Sequence, residues 1–375
     1  MTTAVQVQYR RGTAAQVAAF TGAAGEMVVD TTNNRIVVQD GATAGGFAAA
    51  KLSEIAGGDL NKFRNATMDV WQRGASALAA TTAGAYTADG WIVLPTGASV
   101  TAAQAAGRLL TKNSLQVTGA ASVTDVIVKQ RIESLIAAPF CSQTVTVQAQ
   151  VYNNTGGSIT PLLTVNRPSA QDNYASVTAD VSAASLQACA NGAWTRLAYT
   201  FAANAASYNG LEIVFDFGNN FSSSSKSVQI AECDIRVTPG VATGLNANPP
   251  PPELRPVQQE LVFCQRYFDQ RNYAGANQNV YIGTLQAVSA TQAVGMVFWW
   301  RATMRAQPTI TTSGVATLAV QPAAGGNSAF SAIGFAADTN SLTIASSTTS
   351  GLTAGNATNM QNANVPAWIA GSAEL

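Results

Sequence analysis

Two tryptophans and an arginine stand out in NATMDVWQRGASALAATTAGAYTADGW, residues 65–91, because alanine, threonine and glycine make up most of the rest. An indole offers a flat apolar surface to the C–H face of a pyranose, so Trp71 and Trp91 are candidate stacking platforms for a sugar. At strand-like positions the same two residues equally serve to fill a sandwich core. Arg73 can clamp the carboxylate of an acidic sugar through its planar fork, or pair internally with Asp69 or Asp89.

Other polar groups recur at strand spacing. In KQRIE, alternation puts Lys129, Arg131 and Glu133 on one face and Gln130 and Ile132 on the other. In TVTVQAQVY, Val145, Val147, Ala149 and Val151 form a core face, while the opposite face carries hydroxyls, amides and the phenol of Tyr152. The segment NRPSAQDNYA reads as a polar loop in which Asn166, Arg167, Gln171, Asp172, Asn173 and Tyr174 could donate to and accept from vicinal hydroxyls. The plainer alternatives are a charge-paired solvated sheet face and an exposed turn. In WWRATMR, Trp299 and Trp300 must point to opposite faces of a strand, and one of them is expected at a subunit contact.

Several chemistries are disfavoured. The chain has no histidine, which excludes a Ser–His–Asp triad and removes the commonest metal ligand. Four widely spaced cysteines contain no CxxC pair, so they read as buried thiols rather than a zinc site or a disulfide framework. Twenty basic residues balance twenty acidic ones, leaving no excess to gain from counterion release on nucleic acid. No metal and no cofactor is expected, although DFGNN, 216–220, could lend oxygens to a structural calcium. Paired carboxylates can cleave glycans without histidine, and Asp172, Glu212 and Asp216 are available. No acidic pair in an activating aromatic pocket is legible, and no solenoid repeat, so the chain reads as a non-enzyme.

The elements that position these residues are strands. A length of 375 residues suggests two to three domains. With 47% hydrophobic and only 11% charged residues, the surface suits a chain covered by copies of itself. The start lacks a secretory signal, and no apolar run reaches about 18 residues, so a soluble product of the cytoplasm without membrane insertion is expected. AVQVQY alternates, and EMVVD and RIVVQD flank TTNN as a hairpin. LSEIAGGDLNKF is a connector with helical spacing. Beyond it lie SVTDVIVKQRIE, TVTVQAQVY, ITPLLTV, TRLAYTF, LEIVFDF and SVQIAECDIRV, separated by turns and without helices between them. VATGLNANPPPPELRP is a stiff linker that sets the sandwich apart from the C-terminal third of the chain. ELVFCQRYFDQ and VGMVFWWRATMRAQPTITTSG then read as further strands, and the almost uncharged tail gains most by packing on neighbouring subunits. The fold class is all-β. It comprises a small N-terminal β module (1–57), a connector (58–64), a central jelly-roll β-sandwich (65–240), a proline-rich linker (241–252) and a C-terminal β-sandwich-like module (253–375).

Three stretches resemble phage tail-fibre and receptor-binding proteins. VQYRRGTAAQVAAFTGAAGEMVVDTTNNRIVVQDGATAGGFAAAK resembles the N-terminal module at the base of such fibres. MDVWQRG, YTADGW, VIVKQRIES and QTVTVQAQVY resemble their carbohydrate-binding-module-like sandwich. RPVQQELVFCQRYF, MRAQPTIT and GSAEL are similar to a C-terminal segment of the same group. Gly90 departs from the pattern, which expects a large or basic residue before the tryptophan. Gene-transfer-agent and phage head spikes share these modules. The resemblance implies a homotrimeric adhesin on the virion surface, with host capsule or lipopolysaccharide and other virion proteins as partners. A structural connector or decoration protein, and a glycan-depolymerising spike, are the alternatives.

Overall fold

The computed structural model describes residues 9–49, 60–273, 280–322 and 325–375. The AVQVQY alternation and most of the expected helical connector lie outside these residues. The N-terminal sheet runs Arg10–Gly12, Met27–Asp30, Arg35–Val38, Phe47–Ala48. Its hairpin closes around TTNN with Met27 opposite Val38 and Asp30 opposite Arg35. Asp30 builds the turn by accepting from the Thr32 and Asn33 amides. Val28 and Val37 pack on Val17 of the short helix Ala14–Ala18. The opposite face presents Met27, Ile36, Val38 and Phe47, all exposed.

The central residues form two antiparallel sheets. The front sheet runs Asn173–Ser185, Leu162–Ala170, Leu211–Asp216, Asp125–Ile132, Trp91–Thr96, Ala85–Tyr86. The back sheet runs Gly244–Leu245, Ala193–Ala202, Thr144–Asn154, Ser227–Val237, Asn113–Thr118, Val100–Ala106, Leu78–Ala80. Their inner faces interdigitate in one core containing Trp91, Val128, Val147, Leu163, Leu197, Ile213, Phe215 and Ile235. This is the expected sandwich, made as the alternating runs dictate.

Both tryptophans of the 65–91 stretch belong to this core. Trp91 is fully buried, tilts against Phe63 at 5.1 Å, and donates from Nε1 to the Asn65 carbonyl at 3.2 Å. Trp71 lies outside any strand, contrary to its strand-like pattern. It packs on the core while Nε1 donates to the Met68 carbonyl at 2.7 Å. Gly90 has φ +82°, a conformation that side-chain-bearing residues rarely adopt, and a Cβ there would stand 3.2 Å from Arg64 Nε, so a larger residue at this turn would be strained.

The polar face of Thr144–Asn154 is not an open wall. Thr146, Gln148 and Gln150 are all buried. The proline-rich segment does not stand clear of the sandwich but lies along it as a strap. Gln148 Nε2 donates to the Pro250 carbonyl at 2.8 Å, and Arg236 Nη2 to that of Pro251 at 2.7 Å. Polyproline has no internal hydrogen bonds, so its carbonyls are free to satisfy these buried donors.

ELVFCQ is a helix, Val257–Gln265, not a strand. Its Glu260 accepts from the Asn65 and Ala66 amides at 2.7 and 3.3 Å, and Arg255 pairs with Glu260 at 3.2 Å. The C-terminal residues then form a three-stranded sheet (Phe268–Tyr273, Ala367–Ser372, Thr309–Thr312). Beside it a second sheet runs Ser328–Ala329, Leu318–Gln321, Ala357–Asn362, Tyr281–Ala287, Ala293–Trp299, Ser341–Thr348, Ala332–Ala337. The weakly charged tail supplies its own core here through Leu342, Ile344, Met360 and Ile369. Trp299 is 60% exposed and Trp300 6%, on opposite sides as alternation requires.

Candidate functional site

The sequence-predicted polar residues separate into three groups. The first lies on the outer face of the front sheet. Lys129 and Arg131 project from one strand with Glu212 opposite Arg131 on the next, and Asn166 opposite Glu212 on the one after. Glu212 Oε2 is 3.0 Å from Lys129 Nζ and 2.9 Å from Arg131 Nε, while its Oε1 accepts from Asn166 Nδ2 at 3.2 Å. Burial works against this carboxylate. The hydrogen bond from Arg131 and the charge and hydrogen bond of Lys129 together outweigh it and hold the Glu212 carboxyl below its usual range. Tyr174 lies under the Arg131 guanidinium at 4.9 Å and donates to the Ile132 carbonyl at 2.7 Å. Tyr86, Ile92, Leu94, Lys129 and Arg131 line a groove of about 180 Å³.

The second group, apart from Arg167 and Asn173, is drawn toward the seam between the central sandwich and the C-terminal module. Arg73 stacks on Phe268 at 3.5 Å and pairs with Glu374 at 3.2 Å and Asp89 at 3.6 Å. Burial pushes the Asp89 carboxyl up to about 7, against the opposing charge of Arg73. Glu133 does not share a face with Lys129 and Arg131. It is the N-cap of the short helix Ser134–Ala137 and turns toward Arg266 at 3.0 Å and the Tyr267 hydroxyl at 2.6 Å. The expected loop NRPSAQDNYA is a hairpin, with Asn166 and Arg167 in one strand, Asn173 and Tyr174 in the next, and Gln171 and Asp172 at the turn. Asp172 has φ +56°, accepts from the Ser134 amide at 2.7 Å and lies 3.7 Å from Arg305 of the C-terminal module. Gln171 donates to the Ser134 hydroxyl at 3.0 Å, and Arg167 pairs with Asp180 at 2.7 Å. Asn173 caps its own strand through the Ala175 amide.

The third position, Tyr152, is on the outer face of the back sheet beside Trp194, with ring centroids 5.6 Å apart. It does not meet the front-sheet group.

One pair was not legible. Asp125 and Asp216 lie near one another at one end of the front face, and burial, together with the Asp216 charge, pushes Asp125 up to about 6. Alternation along Asp125–Ile132 places Asp125 on the Lys129 and Arg131 face; only the partner strand's register shows that Asp216 lies beside it. Of DFGNN, Asp216 also accepts from the Gly218 amide, and Asn220 is bonded to Thr155 and Lys226. No group of three potential metal ligands occurs among the described residues.

The comparisons with known proteins bear on two parts of the chain. The xylan-binding CBM22-2 domain of Paenibacillus barcinonensis Xyn10C is 14% identical over 43% of this chain and 99% of its own, with a TM-score of 0.30. The enzymatically active domain of bacteriophage CBA120 tailspike protein 4 is 14% identical over 48% of this chain and 22% of its own, with a TM-score of 0.32. A tail fiber receptor-binding protein of Bordetella phage BPP-1 is 64% identical over 45 residues, which are 12% of this chain and 12% of that protein. Residues 7–43 match the major tropism determinant N-terminal domain, and the resemblance of the stretch that carries RRGT and GEMVVDT is thereby shown for that module.

Proposed function

We propose that this chain is a virion fibre or spike protein that holds the particle to host cell-surface polysaccharide through the front face of its central sandwich, without cleaving it. The observation that carries the reading is the N-terminal domain match to a receptor-binding tail fibre. That module would attach the chain to other virion proteins. Its uncovered row of Met27, Ile36, Val38 and Phe47 suits burial against further copies, which supports a homotrimer. Three weak sites on one particle would raise avidity through effective concentration. A native mass of a single chain in dilute buffer would remove the trimer from this reading.

The front face favours binding over cleavage. Lys129, Arg131, Glu212 and Asn166 form a fork of donors and acceptors suited to sugar hydroxyls and carboxylates. Glycosidases separate their two carboxyls by about 5 Å or more to admit the scissile bond. The Lys129 cluster instead contains one carboxylate, Glu212, which is held by Lys129, Arg131 and Asn166.

The test uses the full-length protein, because the seam ties the central sandwich to the C-terminal module. Binding to immobilised capsule and lipopolysaccharide is compared with that of Lys129→Gln/Glu212→Gln, which removes opposite charges together. The expected loss is about tenfold or more, or roughly 1.4 kcal/mol. Equal binding by both proteins would reject the front face, and release of reducing ends would favour a depolymerising spike.

A further inference from the structure

The Trp194 and Tyr152 side chains of the central sandwich differ from Trp71, Trp91, Tyr86 and Tyr174. Trp71 and Trp91 each spend their indole N–H on a backbone carbonyl, and Tyr86 and Tyr174 each spend their hydroxyl in the same way. Trp194 and Tyr152 donate to no described residue, belong to no core cluster, and lie half-buried directly opposite each other on the outer face of the back sheet. Buried tyrosines and tryptophans normally find a partner for the polar tip. Here two apolar faces and two free donors stand side by side.

In register across the next strands, Gln229 lies opposite Tyr152, and Gln116 opposite Gln229. Ser114 Oγ lies 3.0 Å from the Ala106 carbonyl and 3.0 Å from the Gln229 side-chain amide, which it holds in place on this face. The row Trp194, Tyr152, Gln229, Gln116 crosses four neighbouring strands, about 14 Å at the usual strand spacing, which is the length of a short oligosaccharide. Arg196, two residues after Trp194 on the same face, has no carboxylate partner among the described residues. Its Nε and Arg108 Nη1 donate to Gln150 Oε1 at 3.0 and 3.2 Å. The nearby carboxylate, Glu232, is buried and 3.8 Å from Arg108. Two guanidinium groups against one carboxylate leave this end of the row with a positive charge.

We propose that the back sheet carries a second carbohydrate site, centred on Trp194 and Tyr152, for a segment of an acidic polysaccharide. The sugar rings stack on the two aromatics, Gln229 and Gln116 hydrogen-bond the hydroxyls, and Arg196 receives a uronate-type carboxylate. The proposal rests on the adhesin reading and adds to it a face on the other side of the sandwich. A polysaccharide strand on one sheet does not reach the other directly, so the two sites act as separate points of attachment within each chain.

The test uses full-length protein on an array of uronate-containing and neutral capsular oligosaccharides. Trp194→Ala is expected to lose tenfold or more in binding to the uronate-containing set, with an unchanged urea midpoint, and Trp194→Phe to keep most of it. The front-sheet variant Lys129→Gln/Glu212→Gln should retain the part of this binding that Trp194→Ala removes. Wild-type binding by Trp194→Ala/Tyr152→Ala overturns the second site and leaves the adhesin reading standing if the front-sheet variant fails. A fall in native mass on Trp194→Ala makes the face a subunit contact and also overturns it. No binding of any oligosaccharide by the wild-type chain overturns both readings.

Discussion

Arg73 discriminates between a ligand contact and a structural clamp. Replacing it by alanine leaves Asp89 and Glu374 facing one another with side chains only 1% and 6% exposed. Removing one partner from a buried ion pair costs about 3–5 kcal/mol. Stacking of the guanidinium on Phe268 adds to the loss. Arg73 is itself 16% exposed, which places the expected cost near the lower end, about 3 kcal/mol. The loss depends on pH with a definite sign. Asp89 titrates at about 7 in the folded protein, raised by burial from its usual value, so the folded state holds its proton more tightly than the unfolded state. Without Arg73 that value rises further, and stability falls as pH increases from about 4 toward 8. Urea unfolding of Arg73→Ala should therefore show a smaller deficit at pH 5, where Asp89 is protonated, than at pH 8. Arg73→Ala/Asp89→Asn should recover part of it. A deficit below about 1 kcal/mol at pH 8, or loss of glycan binding with an unchanged urea midpoint, would refute the clamp.

Two single positions give further expected outcomes. Asp125 titrates at about 6, so its contribution is least unfavourable below pH 4 and becomes destabilising as pH rises through 6. Asp125→Asn should raise urea stability at pH 7.5 by about 1 kcal/mol, after discounting for its partial exposure, and by nothing at pH 3.5. Gly90→Ala should cost about 1–2 kcal/mol at any pH, because φ is +82° and Arg64 Nε stands 3.2 Å from the added carbon. An unchanged midpoint would show that the turn can relax.

Period-two alternation between turn signals located the sandwich strands, because each has one face committed to the core. Ser227–Val237 coincides with its sequence run, and the TTNN hairpin closes in the expected register. The helix Val257–Gln265 escaped because its pattern is inverted. Glu260, Cys264 and Gln265 are buried while Val257 and Val262 are exposed, since its partner is the pair of backbone amides at Asn65 and Ala66 rather than an apolar surface. The polar face of Thr144–Asn154 looked open because the segment that covers it lies about a hundred residues further along the chain. Half of the front-face cluster could be read from the alternation of Lys129 and Arg131. Glu212 and Asn166 join it through strand register, which one strand's pattern does not contain.

A chain with so few charges concentrates them where they must be answered, and the identity of the answering residue separates their roles. Arg73, Glu133 and Asp172 find their partners on Glu374, Arg266 and Arg305, in the other module, so their loss loosens the seam. Lys129 and Asn166 find theirs on Glu212, within the same sheet face. Arg131 does both, pairing with Glu212 while donating from Nη1 to the Leu375 carbonyl at 2.6 Å. A binding defect in Arg131→Ala would therefore combine lost contact with lost docking. Lys129, whose ion pair stays within the front face, is the position at which an effect on the proposed glycan binding separates most cleanly from stability.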